Sequence, residues 1–347
     1  MLVRQRLLLV LGILLSLTSC ALWESEKPTV GAPPPTPTPP EVEEAGKHSP
    51  SLEGRLLYAR GGNIWLRQGT TAERLTDCGS CTQPAWSPDG RQIAFVVREE
   101  SYSDIWVMDA DGKNARPVTR NRSPAAERTL EYVLSSYWAY QPQWVPPDGE
   151  WLVYISHPTP HSSVSEMAVY QIRPDGSNEH RVLVLDGNIE SPSWSPDGSL
   201  LAFVYIPYAT GPQLRYFDPE SGRVRPLGPD LEGIERYDPA WSPNGQWIAY
   251  AARQGGSTDL WLMPSPLNPV YAGDWSPVRL TEQGRARGPA WSPTGDQIVY
   301  IAEEDGSFDL WLLDLESAAG GFPRPAQVQK LTAGAQVDAT ARPSWAP

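Results

Sequence analysis

Cysteine and basic residues are scarce in this chain, and each shortage excludes a class of protein. Only three cysteines occur in 347 residues, so a small scaffold held by disulfides is excluded and the core must stabilise itself. Lysine and arginine total 28 against 41 acidic residues, which gives a net charge of -13 at pH 7. Because nucleic-acid binding needs a basic face that neutralises phosphates, we expect no nucleic-acid partner.

Long apolar runs are also missing, except at the N-terminus. Arg4 and Arg6 precede the apolar residues 7–17, which at about 1.5 Å per residue span roughly half of a bilayer's hydrocarbon core. This order is that of a secretory signal peptide. The segment ends in Leu-Thr-Ser before Cys20, which resembles a bacterial lipobox. We therefore expect residues 1–19 to be a lipoprotein signal peptide, Cys20 to carry the lipid, and the mature chain to be an extracytoplasmic bacterial lipoprotein anchored in the membrane. An uncleaved anchor that continues through residues 21–23 is the alternative, and it also leaves the body tethered outside.

Apolar residues are also scarce between residues 24 and 53. The sequence GAPPPTPTPP is followed by the acidic EVEEAGKHSPS, and such a composition cannot form a core. Proline favours an extended conformation of about 3.1 Å per residue. We predict a lipidated N-terminus and a disordered stalk over residues 20–53, and one folded body over residues 54–347.

Tryptophan, glycine and proline are abundant, and they recur in phase. The phrase Pro-x-Trp, followed by a turn such as Ser-Pro-Asp-Gly, occurs five times in full and once truncated at the C-terminus. Its tryptophans are Trp86, Trp144, Trp194, Trp241, Trp291 and Trp345. Successive copies are 47 to 58 residues apart, a period typical of propeller blades. We expect these side chains to pack between blades rather than to form a binding surface.

Each period contains four short strands, A to D. The Ser-Pro-Asp-Gly turn joins A to B, and a turn such as Asp-Ala-Asp-Gly joins C to D. Residues 54–76 contain a B, a C and a D strand, but no Pro-x-Trp phrase precedes them. The missing A strand is at the C-terminus. The sequence therefore predicts an all-β, six-bladed propeller of four-stranded antiparallel blades, closed by the C-terminal strand in the N-terminal blade.

The combined repeat resembles that of TolB-type propellers. The residues that carry the resemblance are Pro-x-Trp-Ser-Pro-Asp-Gly, the strand Asp-Ile-Trp-Val-Met-Asp-Ala-Asp-Gly, and Arg-Leu-Thr. It covers residues 54–347 and implies this fold, while function differs widely among proteins that share it. TolB proteins carry an α/β domain ahead of the propeller. Here a lipobox and a proline-rich stalk occupy that place.

No catalytic, cofactor or metal motif stands out. The Gly-x-Ser-x-Gly motif and the α/β segment of peptidase relatives do not occur, so we expect no enzyme, no cofactor and no metal. Cys78 and Cys81 have redox or zinc spacing, but no second cysteine pair follows. A local disulfide in the loop between the first two blades is the favoured interpretation.

Binding residues are expected where the loops vary in length, on the face that holds the D-to-A and B-to-C connections. The longest insertion, residues 121–141, is rich in aromatic residues, and loops that enter strand A reach the channel mouth. The candidate partner-binding residues are Tyr132, Tyr137, Trp138, Tyr140, Glu190, Glu235, Arg236, Tyr237, Asp238, Arg285, Arg287 and Arg342.

Two classes of function remain open. The first is a monomeric, membrane-anchored binding scaffold for an envelope protein, a peptide or a glycan, with a TolB-like role in a Tol-Pal type system as its variant. The second is a hydrolase or lyase at the channel mouth, where a pair such as Glu235 and Asp238 would supply the carboxylates.

Overall fold

The computed structural model describes residues 42–44, 50–157, 167–229, 232–273, 275–317 and 321–347. The predicted signal peptide, Cys20 and the proline-rich part of the predicted stalk lie outside these residues. Among the described residues, no helix is long and apolar enough to cross a membrane.

Six antiparallel sheets make up the described chain, and in five of them four consecutive strands lie side by side. Blade 1 contains β2 (Leu52–Arg60), β3 (Asn63–Gly69) and β4 (Thr71–Arg74), flanked by β25 (Ser344–Ala346) and β1 (Val42–Glu44). Blade 2 contains β5 (Cys81–Trp86), β6 (Gln92–Arg98), β7 (Ser103–Asp109) and β8 (Arg116–Pro117). Blade 3 contains β9 (Ala139–Trp144), β10 (Leu152–Ser156), β11 (Ala168–Ile172) and β12 (His180–Val184).

The second half of the chain continues the pattern. Blade 4 contains β13 (Asn188–Trp194), β14 (Leu201–Ile206), β15 (Gln213–Asp218) and β16 (Arg223–Pro226). Blade 5 contains β17 (Glu235–Trp241), β18 (Trp247–Gln254), β19 (Ser257–Pro264) and β20 (Val278–Arg279). Blade 6 contains β21 (Ala286–Trp291), β22 (Gln297–Glu304), β23 (Ser307–Ser317) and β24 (Pro323–Lys330). A helix α1 (Leu130–Ser135) precedes blade 3, and a 3-10 turn (Pro269–Ala272) lies in blade 5.

The A strands form a closed ring around the axis. Each contacts the A strand of the next blade, in the order β5, β9, β13, β17, β21, β25 and back to β5. The C-terminal strand β25 pairs antiparallel with β2, with Trp345 opposite Leu56. The prediction of a six-bladed propeller closed by the C-terminal strand is confirmed.

The start of the folded body differs from the predicted boundary. Strand β2 begins at Leu52, and Val42–Glu44, placed in the disordered stalk, pairs as β1 with β4. The prediction is therefore wrong for these residues. Strand β4 would otherwise present unpaired N–H and C=O groups, and the short acidic segment covers that edge.

The A-to-B turns are held by the side chains of the repeat. Ser195 Oγ donates to Asp197 Oδ1 at 2.6 Å and accepts from the Leu200 N–H at 2.9 Å. Gly198 has φ of 73°, and a Cβ there would come within 2.2 Å of the Pro146 carbonyl oxygen. Glycine is therefore required both by the turn and by the approach of the neighbouring blade.

The apolar core lies between blades rather than inside one sheet. One buried cluster joins Ala202, Val204 and Leu214 of blade 4 to Ile248 and Tyr250 of blade 5. Because both faces of the B strands are covered in this way, their central sequences are continuously apolar rather than alternating.

The repeat tryptophans fasten neighbouring blades together. The indole N–H of Trp144 donates to the Ala85 carbonyl oxygen in the preceding blade at 3.1 Å, and Trp241 donates to Ser193 in the same way at 3.1 Å. The expected inter-blade role is therefore what these contacts show. Trp194 is an exception, since its buried Nε1 has no hydrogen-bond partner among the described residues.

An aspartate at the start of strand C anchors the D-to-A connection. Asp259 Oδ1 accepts from Thr281 Oγ1 and from the Gly284 N–H, both at 3.0 Å, and its Oδ2 accepts from Arg279 at 2.7 Å. The Leu-Thr of the repeat thus supplies the hydroxyl that fixes these loops at one end of the propeller.

Candidate functional site

The B-to-C and D-to-A connections share one end of the antiparallel blades, and we call this end the loop face. Hydrogen bonds join the two kinds of connection there, for example from the Thr258 N–H to the Gly284 carbonyl and from the Ser103 N–H to the Tyr137 carbonyl. The A-to-B and C-to-D turns lie at the other end. Side chains that reach the channel from the loop face therefore come from the first half of each A strand.

Each A strand of blades 2 to 6 is bulged at the residue before the repeat's proline. The register against strand B shifts there, because proline has no N–H to donate to the ladder. The bulged residues have φ between 50° and 60°, which is strained for residues other than glycine. Together with the residue at the same position of blade 1, they form what we call the bulge ring: Gln83, Gln141, Ser191, Asp238, Gly288 and Arg342.

Hydrogen bonds run around the bulge ring from blade to blade. Gln83 Oε1 accepts from the Gln141 N–H at 2.8 Å, and Gln141 Oε1 accepts from the Ser191 N–H at 2.6 Å. Ser191 Oγ donates to Asp238 Oδ1 at 3.0 Å, and Asp238 Oδ2 accepts from the Gly288 N–H at 3.2 Å. The side chains thus replace the ladder bonds that the bulges interrupt.

Arg342 completes the ring by reaching across the axis. Its Nη1 donates to the Pro239 carbonyl oxygen at 2.7 Å, and its Nη2 donates to the Pro192 carbonyl oxygen at 3.1 Å. Burial lowers the pKa of Arg342, while the nearby Asp238 carboxylate raises it. An arginine keeps its charge under such a shift, so the bulge ring holds a cation at the centre of the propeller.

The space left at the bulge ring is small. The cavity there measures about 40 Å³, which accommodates a few water molecules at ~10–15 Å³ each but no organic ligand, for which ~300 Å³ is the usual minimum. The channel is therefore closed at the bulge ring, which forms its floor, and a partner that enters from the loop face could not pass through the propeller.

Above this floor lies the channel mouth, formed by the residue that precedes each bulged residue. Its half-buried side chains are Thr82, Tyr140, Glu190, Tyr237 and Arg287. Arg287 pairs with Asp238 at 3.8 Å. The Glu190 carboxylate makes no hydrogen bond or ion pair within the described part of the chain. Burial, and secondarily the charge of Asp238, raises the pKa of the Glu190 carboxyl, while Arg287 opposes this shift. The mouth thus holds a carboxylate whose charge is not compensated by a direct partner.

An aromatic shelf borders the mouth at blades 2 and 3. The rings of Trp138 and Tyr140 are stacked, with centroids 6.0 Å apart and an interplanar angle of 7°. The guanidinium of Arg98 lies 6.0 Å from the Tyr140 ring centroid. We call these three residues the aromatic shelf. Trp138 and Tyr140 are half-buried and Arg98 is exposed, and the stacking restricts the two rings, so they lose little conformational entropy when a partner contacts them.

Helix α1 projects apolar side chains beside the shelf. Thr129 caps the helix by accepting from the Tyr132 N–H at 3.1 Å. Leu130, Val133 and Leu134 are 73%, 52% and 44% exposed. Their spacing places them on one face of the helix.

The other predicted loop-face residues have local partners. Glu235 pairs with Arg253 at 3.5 Å and accepts from the Tyr237 hydroxyl at 2.7 Å. Arg285, on the loop face, pairs with Glu303. Tyr137 is half-buried at the end of the insertion.

Two of the predicted contact residues are not on the surface, and the prediction is wrong for them. Arg236 is 3% exposed and donates to the carbonyl oxygens of Leu227 and Pro229. Tyr132 is 8% exposed, because its side chain turns inward from α1. In both cases the prediction relied on the residue type, which does not determine whether the side chain faces solvent or the interior.

The sequence prediction also missed four members of the bulge ring, namely Gln83, Gln141, Ser191 and Gly288. The available signal was positional: each stands immediately before the proline of a Pro-x-Trp phrase.

The two cysteines of the loop between blades 1 and 2, Cys78 and Cys81, form a disulfide with Cα atoms 5.9 Å apart. Within the described ranges, no group of three or more His, Cys, Asp or Glu side chains could hold a metal ion.

These features define a class: a closed six-bladed propeller of Pro-x-Trp repeats, with its axis filled by its own side chains and an open loop face. The model of the TolB beta propeller domain, PD40, matches residues 62–265 and 150–319. The chain belongs to this family.

Individual relatives agree with that assignment. The crystal structure of TolB from Acinetobacter baumannii is similar with a TM-score of 0.62 at 20% identity, over 85% of this chain and 67% of that chain. A protein named TolB homolog from Chlorobium luteolum is 30% identical over 158 residues, and an uncharacterized protein from Agrobacterium fabrum is 27% identical over 178 residues. These alignments cover 45% and 48% of this chain, and 31% and 52% of the respective relatives.

Proposed function

We propose that the protein is a membrane-anchored, extracytoplasmic binding scaffold that recognises a protein or peptide at the channel mouth on the loop face. The observation that carries the proposal is Glu190, a half-buried carboxylate without a direct side-chain partner in the described chain, at the position of blade 4 that Tyr140 of the aromatic shelf has in blade 3. The cost of burying this charge is offset only in part by the nearby Arg287, since the pKa of Glu190 remains raised, and a ligand that pairs directly with the carboxylate would compensate the rest.

The partner's chemistry follows from these groups. A lysine or arginine side chain entering the mouth would form the ion pair that Glu190 lacks, and Asp238 behind it would add attraction. The stacked rings of Trp138 and Tyr140 would contact an adjacent aromatic or apolar side chain. Since the bulge ring closes the channel, such a segment would dock onto the mouth rather than thread through it.

Helix α1 would extend the contact area. Leu130, Val133 and Leu134 form an exposed apolar group beside the shelf, and apolar residues next to polar groups are typical of interaction surfaces. The polar mouth would then set specificity while the helix adds buried area.

Affinity capture from source-organism membranes, with mass spectrometry of the captured proteins, tests this proposal. Wild type is compared with Glu190→Gln and Trp138→Ala, and the matched control is Glu220→Gln in the C-to-D turn of blade 4, at the opposite end. We expect one protein to be captured by wild type and the control and to be lost with both mouth variants. An unchanged set of captured proteins would refute a polypeptide site at the mouth, and a glycan captured in its place would reassign the ligand.

Membrane attachment is the second part of the proposal and rests on the sequence around Cys20. Thioether-linked lipid at Cys20 predicts that Cys20→Ala abolishes incorporation of labelled palmitate. Labelling that persists in this variant would exclude the lipoprotein form.

A role in a Tol-Pal type envelope system is a second candidate, favoured by the family and by relatives named TolB. In that case the protein captured through the mouth would be a component of such a system. Capture of a Tol-Pal component by wild type and Glu220→Gln, but not by Glu190→Gln, would support it.

A further inference from the structure

A second open cavity lies on the loop face, between blades 4 and 5. Its volume is about 500 Å³, within the ~300–1,000 Å³ of small-molecule sites. It shares no lining residue with the cavity at the bulge ring. We call it the blade 4–5 groove, and its main lining side chains are Thr210, Gln213, Glu232, Ile234, Glu235 and Arg253.

Most of the side chains that line the groove carry hydrogen-bonding groups. A hydroxyl, an amide, two carboxylates and a guanidinium face the groove, and Ile234 is the apolar exception among these six. An apolar ligand would displace the water at these groups without replacing its hydrogen bonds, which is costly. The ligand must therefore be polar and must offer both donors and acceptors.

The charge arrangement excludes strongly charged ligands. Glu235 is already paired with Arg253 at 3.5 Å and accepts from the Tyr237 hydroxyl at 2.7 Å, so a cation would have to displace Arg253. Arg236 also borders the groove, but its guanidinium donates to the Leu227 and Pro229 carbonyls. Anions would therefore meet two carboxylates and the guanidinium of Arg253, which is already paired with Glu235.

A pair of adjacent hydroxyls suits the Glu235–Arg253 pair. A hydroxyl is both a donor and an acceptor, so one can donate to the carboxylate while its neighbour accepts from the guanidinium, without separating the ion pair. Thr210 and Gln213 supply further donors and acceptors on the blade 4 side. Saccharides present such hydroxyl pairs around the ring.

Glycines at the rim allow the backbone to be approached closely. A Cβ added at Gly233, Gly255 or Gly256 would meet nothing within 4 Å, so the space above them is open. At Gly211 a Cβ would come within 3.2 Å of Glu235 Cγ. Glycine at this position therefore lets the Glu235 side chain take its place in the groove.

We propose that the blade 4–5 groove binds a neutral saccharide of one or two rings. The groove adjoins the channel mouth through Tyr237, whose hydroxyl donates to Glu235, but neither Glu190 nor Trp138 lines it, so variants of those two residues test the mouth and variants of Thr210 and Glu235 test the groove. The groove would allow the loop face to recognise a sugar while the mouth holds a polypeptide.

The test is saturation-transfer NMR on the propeller chain with glucose, galactose, N-acetylglucosamine and N,N'-diacetylchitobiose as probes. We expect at least one neutral sugar to bind, Thr210→Trp to abolish binding by filling the groove, and Glu235→Gln to weaken it by about tenfold or more. Glu220→Gln, at the opposite end, should bind as wild type does.

Three outcomes would overturn the proposal. They are no binding by any of the four sugars, binding that survives both Thr210→Trp and Glu235→Gln, and tighter binding of glucuronate or glucose phosphate than of glucose. Thermal melts of both variants show whether they are folded. If Thr210→Trp is unfolded, Gln213→Ala replaces it and is expected to weaken binding.

Discussion

Arg342 Nη1 donates to the carbonyl oxygen of Pro239 at 2.7 Å, although the two residues are 103 positions apart in the chain. The bond joins the segment that closes the ring to a blade on the far side of the axis. The same guanidinium also reaches the Pro192 carbonyl of blade 4. One side chain thus links three blades.

We therefore expect Arg342→Ala to destabilise the propeller. It leaves two carbonyl oxygens without their charged donor, which costs about 2–5 kcal/mol and should lower the melting temperature by several degrees. Arg342→Lys keeps the charge but not the fork of donors, and it should restore only part of the loss. A melting temperature of Arg342→Ala equal to that of wild type, measured by circular dichroism, would contradict the cross-axis role.

The repeat tryptophans offer a matched pair for measuring the inter-blade hydrogen bond. Trp241→Phe removes the donor to the Ser193 carbonyl, whereas Trp194→Phe removes an Nε1 that has no partner among the described residues. Both lose similar volume, so the difference between them reports the hydrogen bond. We expect Trp241→Phe to lose about 1 kcal/mol more unfolding free energy in urea. Equal losses would mean that packing alone fixes these rings.

The aspartates that anchor the D-to-A connections predict a local pH dependence. Asp104 accepts from Thr119 Oγ1 and the Asn121 N–H, both at 2.8 Å. Pro117 stands where blade 5 has Arg279, the cation that pairs with Asp259. Burial raises the pKa of Asp104 to about 6 from its ordinary value of 3.8, with a smaller contribution from Glu99 and an opposing one from Arg120.

Because the folded pKa of Asp104 exceeds the unfolded one, its contribution to stability is full below pH 3.8 and is lost as the pH rises towards 6. The unfolding free energy of Asp104→Asn relative to wild type should therefore increase as the pH rises from 3.8 to about 6, by an amount on the order of 2–3 kcal/mol in total. Asp309→Asn should instead be less stable than wild type above pH 3.8. Burial is the largest single effect on Asp309 and raises its pKa, but hydrogen bonds from the Ala335 N–H and Lys330, among others, together lower it, so the stability that the carboxylate contributes is lost as the pH falls below 3.8. Urea unfolding from pH 2 to 7 covers both pH windows, the one of Asp309 below 3.8 and the one of Asp104 between 3.8 and 6. A difference for Asp104→Asn that does not change with pH would refute the assignment.

The Cys78–Cys81 disulfide closes a very short loop, and we expect it to be formed in the exported protein. Intact mass should then rise by about two hydrogen atoms on reduction. Replacing both cysteines by serine should cost about 2 kcal/mol and should loosen the loop between blades 1 and 2. A mass that is unchanged by reduction would show two free thiols.

The number of blades was predictable because one phrase recurs in phase. The closure was predictable because the sixth copy of that phrase is at the C-terminus, while the blade that lacks a copy is at the N-terminus. The bulge ring was not predicted, because its six members share a position before the repeat's proline, and five of them a positive φ, rather than a side-chain type. Gln83, Asp238 and Gly288 have nothing in common chemically, yet all three have positive φ.

The direction in which individual side chains point could not be predicted from the sequence either. Arg236 and Tyr237 are neighbours on strand β17, and strand alternation turns the first towards backbone carbonyls and leaves the second half-buried in the mouth. Strand β1 was missed for a different reason. Its pairing with β4 is a contact made by a polar segment, and no hydrophobic pattern marks it.

Photocrosslinking tests the central claim, binding at the channel mouth, most directly. A photoreactive residue is placed at Trp138 on the loop face or at Glu220 at the opposite end, and the full chain is irradiated in source-organism membranes. We predict a discrete adduct from position 138 that disappears when Glu190→Gln is added, and none from position 220. An adduct from position 220 alone, or the same adducts from both positions, would contradict recognition at the mouth.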